Sequence, residues 1–599
     1  MSNGSELKSL SSELVDRARA YAADDPDPAG AAWTTALVDR ALAGDADAAF
    51  DLDARFARTL EFGTAGLRGA IGPGTACMNR VVVMRAAWGV GRAVVERSEG
   101  PGAQDGVVIG FDGRRMSRQF AEDTASVLAG LGVKAWIFDE VVPTPLCAFA
   151  VRHLGAAAGI MVTASHNPPE DNGFKVYHST GGQIIPPQDG EIAGWIARAP
   201  TIPSMRRPSP FAAARAGLRL AVPNAVDDAW HDAMAACSMH PGIAQVAPLP
   251  IVYTAMHGVG ARHVMRALRR AGFEGVAQVA AQTEPDGAFP TVAFPNPEEK
   301  GAMDLAFARA TEVGAQLVLA NDPDADRLAV ALPGRDGRWR QLSGNEVGWL
   351  LGADALEHFD TSGERKLVVT TIVSSSLLGR MAAAQGADYA EVLTGFKWLA
   401  HAGMQAKAAG RSRFVFGYEE AIGYEVGGIV RDKDGVHAAV RVAELTAYLA
   451  SQGQTLLDRL DELALHHGLP SGDQWSARMA GNDGLAKIAA TMAKLRAEPL
   501  QMLAGSSVVL RRDLRDDTVW SADGSARPLG MPSADVLIYV DADGTRLIVR
   551  PSGTEPKVKF YVETMAKVRS LADLDVVRAA SKERIASLRK AINAELGLD

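Results

Sequence analysis

Short apolar runs, each ended by a glycine or a polar turn, alternate through the middle of this chain with longer stretches of helical periodicity. Val107-Val108-Ile109-Gly110, Trp136-Ile137-Phe138 and Gly159-Ile160-Met161-Val162 predict buried strands, with a helix from Gln119 to Leu131. The first 60 or so residues are rich in Ala, Asp, Glu and Leu and predict helices of an N-terminal extension. A Pro-rich stretch from Ala199 to Pro210 reads as a linker. A second block follows, with strands at Pro250-Ile251-Val252-Tyr253 and Leu317-Val318-Leu319-Ala320, and with Gly258 and Gly260 in the turn before a helix. A third has strands at Leu367-Val368-Val369-Thr370 and Phe414-Val415-Phe416, closed by a helix from Val440 to Ser451. This alternation predicts βαβ units, in which ligands bind at loops following strands. The C-terminal part differs. Val536 to Val540, Arg546 to Val549 and Val558 to Val562 are closely spaced strands. Asp543-Gly544 is a hairpin turn between the first two, and a charged helix from about Leu574 to Leu596 ends a small α+β domain.

Length adds a domain count: 599 residues imply three or four domains. A hydrophobic fraction of 47% is that of a soluble globular protein. The formal net charge of −9 argues against general nucleic-acid binding. Cys77, Cys147 and Cys237 are isolated, so neither a zinc site nor a disulfide framework is indicated, and all three read as buried filler. The start, MSNGSELKSL, has no apolar signal core, and Ser2 excludes a myristoylation motif. No apolar run approaches the roughly 18 residues of a membrane span. A cytoplasmic enzyme without a membrane partner is the expectation.

The strongest chemical signal is Asn321-Asp322-Pro323-Asp324-Ala325-Asp326-Arg327, placed after a buried strand. On an extended segment, the alternating carboxylates of Asp322, Asp324 and Asp326 point the same way and converge on one hard divalent cation, preferably magnesium. An EF-hand is excluded, because Arg327 and Pro333 stand where its glycine and glutamate belong. A solvated acidic turn, or a haloacid-type phosphatase with Asp322 as nucleophile, stays open. Thr163-Ala164-Ser165-His166-Asn167-Pro168 also ends a strand, and Asn172-Gly173-Phe174-Lys175 predicts a tight turn bearing a lysine. A phosphorylated Ser165 would carry about −1.5 to −2 charge and suit a metal held by carboxylates.

Three weaker signals remain. Phe416-Gly417-Tyr418-Glu419-Glu420-Ala421-Ile422-Gly423-Tyr424 presents an acidic pair able to accept hydrogen bonds from sugar hydroxyls. Arg550-Pro551-Ser552-Gly553-Thr554-Glu555-Pro556-Lys557 has the composition of a phosphate cradle, or of an ordinary hairpin turn with a basic rim. Gly63-Thr64-Ala65-Gly66-Leu67-Arg68-Gly69 could offer Arg68 to an anion but lacks a Walker lysine.

Together and in this order, these segments resemble the α-D-phosphohexomutase superfamily, from Gly63 to about Val562. GYEEAIGY and RPSGTEPK look most like its phosphoglucomutase-2/phosphopentomutase branch. The resemblance implies a four-domain, heart-shaped α/β protein: three α/β domains with mixed sheets plus a C-terminal α+β domain. Its expected domains are 1–205 with the phosphoserine loop, 206–335 with the metal loop, 336–465 with the sugar-binding loop and 466–599 with the phosphate-binding loop. It further implies that Ser165 is the phosphorylated nucleophile and that phospho-Ser165, Asp322, Asp324 and Asp326 hold Mg2+. Arg327 would neutralise the serine phosphate, and His166 and Lys175 are candidates for moving protons. Glu419, with Thr394, Gly395 and Phe396, would contact the sugar. Arg550, Ser552, Gly553, Thr554 and Lys433 would hold the substrate's other phosphate, and Arg68 would bind an anion. The implied reaction interconverts sugar 1-phosphate with 6-phosphate (glucose) or 5-phosphate (pentose) through a bisphosphate, with glucose 1,6-bisphosphate as activator. A phosphomannomutase, a sugar-phosphate phosphatase and a sugar-phosphate-binding regulator are the alternatives. Many phosphoglucomutases have serine where this chain has Ala421, which weakens the case for strict glucose selectivity. The expected partners are small sugar phosphates, and the expected assembly is a monomer or dimer.

Overall fold

The computed structural model describes residues 10–61, 66–97, 99–478, 484–551 and 557–596. The chain divides into two compact units, one of residues up to 342 with 423–447, the other of 343–422 with 448 onward.

The first unit opens with helices Ser12–Asp24, Pro28–Leu42 and Ala46–Phe56. Ser11, Asp27 and Asp45 cap their N-termini by accepting from main-chain N–H groups. Leu14, Val38, Leu52 and Phe56 on these helices join one core with Met78, Met84 and Phe111. The extension is therefore built into the first sheet's core. That sheet runs, among the described residues, in the order Leu67–Ala70, Asp171–His178, Ala158–Val162, Val107–Phe111, Ala135–Ile137, Arg219–Ala221. The last four strands are parallel, and Asp171–His178 is antiparallel to both neighbours. Strands covered on both faces read as unbroken apolar runs, which is why Val107–Phe111 and Ala158–Val162 were visible. The Pro-rich stretch does not end this domain's sheet, because Arg219–Ala221 pairs beyond it with Ala135–Ile137.

One expectation is corrected here. Asn172-Gly173 is not a turn but lies within strand Asp171–His178. Gly173 is required for close approach: a Cβ there would meet Thr163 O at 2.5 Å and Leu67 O at 2.8 Å. Strand alternation still delivers Lys175 to the buried side.

A second sheet has the order Trp339–Gln341, Ala329–Pro333, Leu317–Ala320, Ile251–Thr254, Ala277–Gln278. Leu317–Ala320 is parallel to Ile251–Thr254 and antiparallel to Ala329–Pro333. The acidic loop joins Leu317–Ala320 to Ala329–Pro333. Residues 423–447 fold onto the same unit through bridges from Arg327 to Gly423 and from Gly182 to Arg431.

In the second unit, strands Asp388–Val392, Lys366–Thr371 and Arg413–Glu419 are parallel. They are flanked by helices that include Gly344–His358, opened by a Ser343/Glu346 capping box. The C-terminal part is an antiparallel sheet in the order Leu469–Arg478, Lys557–Ala566, Arg546–Pro551, Leu537–Asp541, Ser506–Asp513, Thr518–Ser521, Ala526–Pro528. Helices Gly484–Ala497 and Leu574–Leu596 cover one face, with Ile488, Met492, Leu588 and Ile592 packed on Phe560 and Val562. Ile538 and Ile548 on the other face pack with Ile372, Val373 and Leu393. No helix among the described residues is long and apolar enough to cross a membrane.

Candidate active site

Ser165 follows strand Ala158–Val162 in a left-handed conformation, φ 52°, and is 3% exposed. Its N–H donates to Thr163 Oγ1 at 2.8 Å, and its hydroxyl donates to Asp322 Oδ2 at 2.9 Å. Its Oγ is also 3.1 Å from His166 Nδ1. Such a backbone outlier is sustained only where surrounding bonds over-determine it. Those bonds come from Arg114, whose Nη2 donates to the carbonyls of Ser165 and Asn167, both at 2.6 Å. Its Nη1 donates to the carbonyls of Pro168 at 2.8 Å and Asp171 at 3.1 Å.

The three aspartates converge as expected, but not by strand alternation. Ala325 takes φ 54°, and its N–H donates to the Asp322 carbonyl at 2.9 Å, so the loop is a tight turn. The turn brings one oxygen of each of Asp322, Asp324 and Asp326 within 4.8 Å of the others, all three residues being buried. Lys175 Nζ donates to Asp324 Oδ2 at 2.7 Å and Asp326 Oδ2 at 2.8 Å. Thr144 Oγ1 donates to Asp324 Oδ2 at 2.6 Å. Lys433 Nζ lies 3.4 Å from Asp326 Oδ2, and Arg327 Nε lies 3.9 Å from Asp322 Oδ2 and 3.8 Å from Asp326 Oδ1. Arg68 Nη1 donates to Asn167 Oδ1 at 3.0 Å.

The electrostatics follow from this crowding. Burial, then the Asp324 and Asp326 charges, push the Asp322 carboxyl well above its usual range. Burial also raises Asp324, but the charge and hydrogen bond of Lys175 outweigh it and hold that carboxyl below the usual range. Asp326 is likewise lowered: burial and Asp324 raise it, and Lys175, Lys433 and Arg327 prevail. Lys175 is raised, burial being overcome by the same carboxylates, so it stays charged. Burial, with Arg327 and Arg68 nearby, pushes His166 well below its usual value and keeps the imidazole neutral.

Asp324 Oδ1 and Asp326 Oδ1 are buried with no hydrogen-bond partner among the described residues. Leaving charged oxygens unpaired in the interior is costly, and an oxygen-ligated divalent cation would satisfy both. The residues present thus fit a hard metal ion.

In the second unit, Glu419 ends strand Arg413–Glu419, and its Oε1 accepts from the Gly395 N–H at 2.8 Å. Gly395 has φ 109°, which favours glycine, and leads into helix Phe396–Ala408, where Phe396 is core. Arg550 Nη1 donates to Thr394 Oγ1 at 2.9 Å. Thr394, Gly395, Glu419 and Arg550 are therefore one hydrogen-bonded cluster. Ser552, Gly553 and Thr554, like Gly63, Thr64 and Ala65, lie outside the described residues. Lys433, expected at the substrate phosphate, stands beside Asp326 in the first unit.

Two participants were not read from the sequence. Arg114 follows strand Val107–Phe111 in the run Phe111-Asp112-Gly113-Arg114-Arg115, and that loop after a buried strand was the available signal. Thr144 begins the helix Thr144–His153 after Pro143, and its only signal was the loop position following Ala135–Ile137.

Four family models match the chain in order. They are the phosphoglucomutase/phosphomannomutase α/β/α domain I at residues 59–201, domain II at 228–335, domain III at 343–465 and the C-terminal domain at 483–591. A relative from Haemophilus influenzae named "Probable phosphomannomutase" is 40% identical over 503 residues, 83% of this chain and 95% of that protein. A human relative named "Phosphopentomutase" is 35% identical over 542 residues, 85% of this chain and 86% of that protein. The crystal structure of a phosphoglucomutase/phosphomannomutase family protein from Burkholderia thailandensis shares the fold, with a TM-score of 0.63 and 20% identity over 89% of this chain and 97% of that one. The chain belongs to the phosphoglucomutase/phosphomannomutase family of the α-D-phosphohexomutase superfamily.

Proposed function

We propose that this chain is a phospho-sugar mutase in which Ser165 carries the transferred phosphoryl group. The carrying observation is the Ser165 hydroxyl, 2.9 Å from Asp322 Oδ2 at the edge of the buried aspartate triad. In the first half-reaction the serine P–O bond breaks and a bond forms to a free sugar hydroxyl, giving a bisphosphate. The bisphosphate then returns its other phosphoryl group to Ser165. In the return step the Ser165 hydroxyl attacks and loses its proton. Neutral His166, with Nδ1 3.1 Å from Ser165 Oγ, is the candidate acceptor and hands that proton back when the serine P–O bond next breaks. The sugar hydroxyl's own proton passes to a phosphoryl oxygen as its bond to phosphorus forms. Lys175 keeps its proton while bound to two carboxylates and is the alternative donor when the phosphoryl group leaves.

Asp322, Asp324 and Asp326 would hold magnesium with the Ser165 phosphate, and when bound it offsets charge on the transferring group. Arg327 and Arg68 supply the remaining positive charge. Glu419 and the Thr394–Phe396 segment bind sugar hydroxyls, and Arg550 with Ser552, Gly553 and Thr554 holds the non-reacting phosphate. Ala421 and the human relative's name favour a pentose phosphate as substrate, beside glucose phosphate. A sugar bisphosphate would act as activator by rephosphorylating Ser165. The cytoplasm, where such metabolites turn over, is the compartment this reading implies.

The test pairs two measurements. Mass spectrometry of purified protein is expected to find one phosphate on the peptide holding Ser165, and Ser165→Ala to abolish exchange while keeping the fold. Turnover within tenfold of wild type in that variant would overturn the assignment. Parallel assays on glucose, ribose, deoxyribose and mannose 1-phosphates, with bisphosphate present, rank the sugar. Release of inorganic phosphate without isomer exchange would identify a phosphatase instead.

A further inference from the structure

Away from Ser165, the first unit holds a second group of metal-ligating side chains. Asp227 and His231 lie one turn apart on helix Asn224–Ala236 and so share a face. His263 comes from the first turn of helix Ala261–Arg270. Asp227 Oδ1 is 3.4 Å from His231 Nε2 and 3.3 Å from His263 Nδ1. One ligand atom from each residue lies within 4.8 Å of the other two.

The two imidazoles are buried, and Asp227 is partly so. His231 is 1% exposed and His263 4%. Asp227 Oδ1, both ring nitrogens of His231 and His263 Nδ1 are buried with no hydrogen-bond partner among the described residues. The two histidine–aspartate approaches are longer than charge-assisted hydrogen bonds, which run about 2.7–2.9 Å. They match another geometry: donors about 2.0–2.1 Å from a tetrahedral ion stand roughly 3.3–3.4 Å apart. The surroundings fix the donors. Asp227 Oδ2 accepts from Arg266 Nη1 at 2.8 Å, which orients Oδ1 toward the imidazoles. Trp230 packs on both rings, with centroids 5.2 Å from His231 and 5.7 Å from His263.

We propose that Asp227, His231 and His263 form a metal site for Zn2+, with water as a fourth ligand. Two imidazoles and one carboxylate suit zinc, whereas the all-oxygen set at Asp322, Asp324 and Asp326 suits magnesium. The site ties the two helices together. It also steadies Trp230, whose Nε1 donates to Asp434 Oδ2 at 3.1 Å; the adjoining Lys433 lies 3.4 Å from Asp326 of the aspartate triad. It does not depend on the mutase reading. Cysteine spacing could not have shown it, because no cysteine takes part.

The test uses the full chain, stripped of metal by chelation and held in excess Mg2+ to fill the oxygen-ligand site. Titration with Co2+ alone is expected to give the intense visible bands of a four-coordinate ion at one equivalent, displaced by Zn2+. Asp227→Asn and His263→Gln are each expected to remove these bands and weaken Zn2+ binding about 100-fold or more, since even outer partners contribute 10–100-fold. Circular dichroism of both variants is expected to match wild type. Absence of four-coordinate bands in wild type overturns the proposal whether or not the variants fold. Equal Zn2+ affinity in wild type and the folded variants overturns it as well.

Discussion

The Arg114 guanidinium donates to the main-chain carbonyl of Ser165 at 2.6 Å, one of four carbonyls in that loop which this one side chain holds. It is fully buried, stacks over Phe289 at 5.1 Å and lies 3.4 Å from Asp112 Oδ2. Lysine preserves the charge but cannot reproduce a planar fork. Arg114→Lys is expected to lower kcat by about 10–100-fold, because a misplaced nucleophile loses effective concentration. Loss of two charge-assisted bonds, at about 1.5–3 kcal/mol each, is expected to destabilise the fold by about 3–6 kcal/mol. Thermal melts and the phosphorylated fraction of Ser165 check both. An unchanged phosphorylated fraction with an unchanged kcat would show that the loop holds itself.

Lys175 is the cation nearest the triad among the described residues, with contacts of 2.7 and 2.8 Å to Asp324 and Asp326. Lys175→Met keeps the shape and leaves buried carboxylates without that partner. Breaking a buried pair on one side costs about 3–5 kcal/mol. The loss is expected in full in chelator. If the triad takes Mg2+ as proposed, Lys175 competes with the ion for the same carboxylates. The variant is then expected to bind Mg2+ more tightly than wild type and to recover RT ln of the affinity ratio, about 2.7 kcal/mol for a hundredfold difference at saturating Mg2+. Denaturant midpoints of wild type and variant, with chelator and with Mg2+, are the measurement. A deficit independent of Mg2+ would separate Lys175 from the metal loop.

What the sequence made legible was chemistry that is contiguous along the chain. Asp322, Asp324 and Asp326 sit within five residues, and Ser165-His166 directly follows an apolar run, so residue type and spacing were enough. The backbone that presents them was less legible. The triad converges through a turn at Ala325, a non-glycine residue at positive φ, and alternation on a strand gave the right outcome by the wrong route. Asn172-Gly173 carries a turn signature, yet the glycine answers to main chain on two neighbouring segments, which only the fold assembles. Arg114 and Thr144 reach the site from loops after other strands, 51 residues from Ser165 and 180 from Asp324. No local pattern links such positions.

Glu425 gives the chain a pH dependence of known sign. It lies in strand Gly423–Val426, 1% exposed, with Oε2 accepting from the Gly428 N–H at 3.0 Å. Burial raises its carboxyl from 4.5 to about 8. The folded state then binds a proton where the unfolded state has lost it. Its contribution is full below the unfolded value, falls as pH rises toward about 8 and is flat above. Buried Asp434, raised to about 7 by desolvation, adds a slope of the same sign. Glu425→Gln is expected to flatten the curve and to be more stable than wild type above about pH 8, by at most about 5 kcal/mol. Urea midpoints across that range read this directly. A variant that follows the wild-type slope throughout would place the titration elsewhere.

Gly173→Ala tests whether the fold and the site share one tight contact. The added methyl group would stand 2.5 Å from Thr163 O and 2.8 Å from Leu67 O, both main chain in paired or adjoining segments. Neither oxygen can swing aside as a side chain would, so the strand itself must move. Overpacking of this kind costs about 1–3 kcal/mol, and a backbone obstacle on two sides puts the expected loss at the upper end. The displaced strand carries Lys175, and Thr163 holds the Ser165 N–H at 2.8 Å. Activity is therefore expected to fall more than stability requires, with kcat reduced at temperatures well below the melt. Gly190→Ala is the control: it is a helical position with nothing within 4 Å of the new Cβ, and it is expected to leave both quantities intact. If Gly173→Ala matched that control, the close approach of the three segments would not be what positions Ser165 and Lys175.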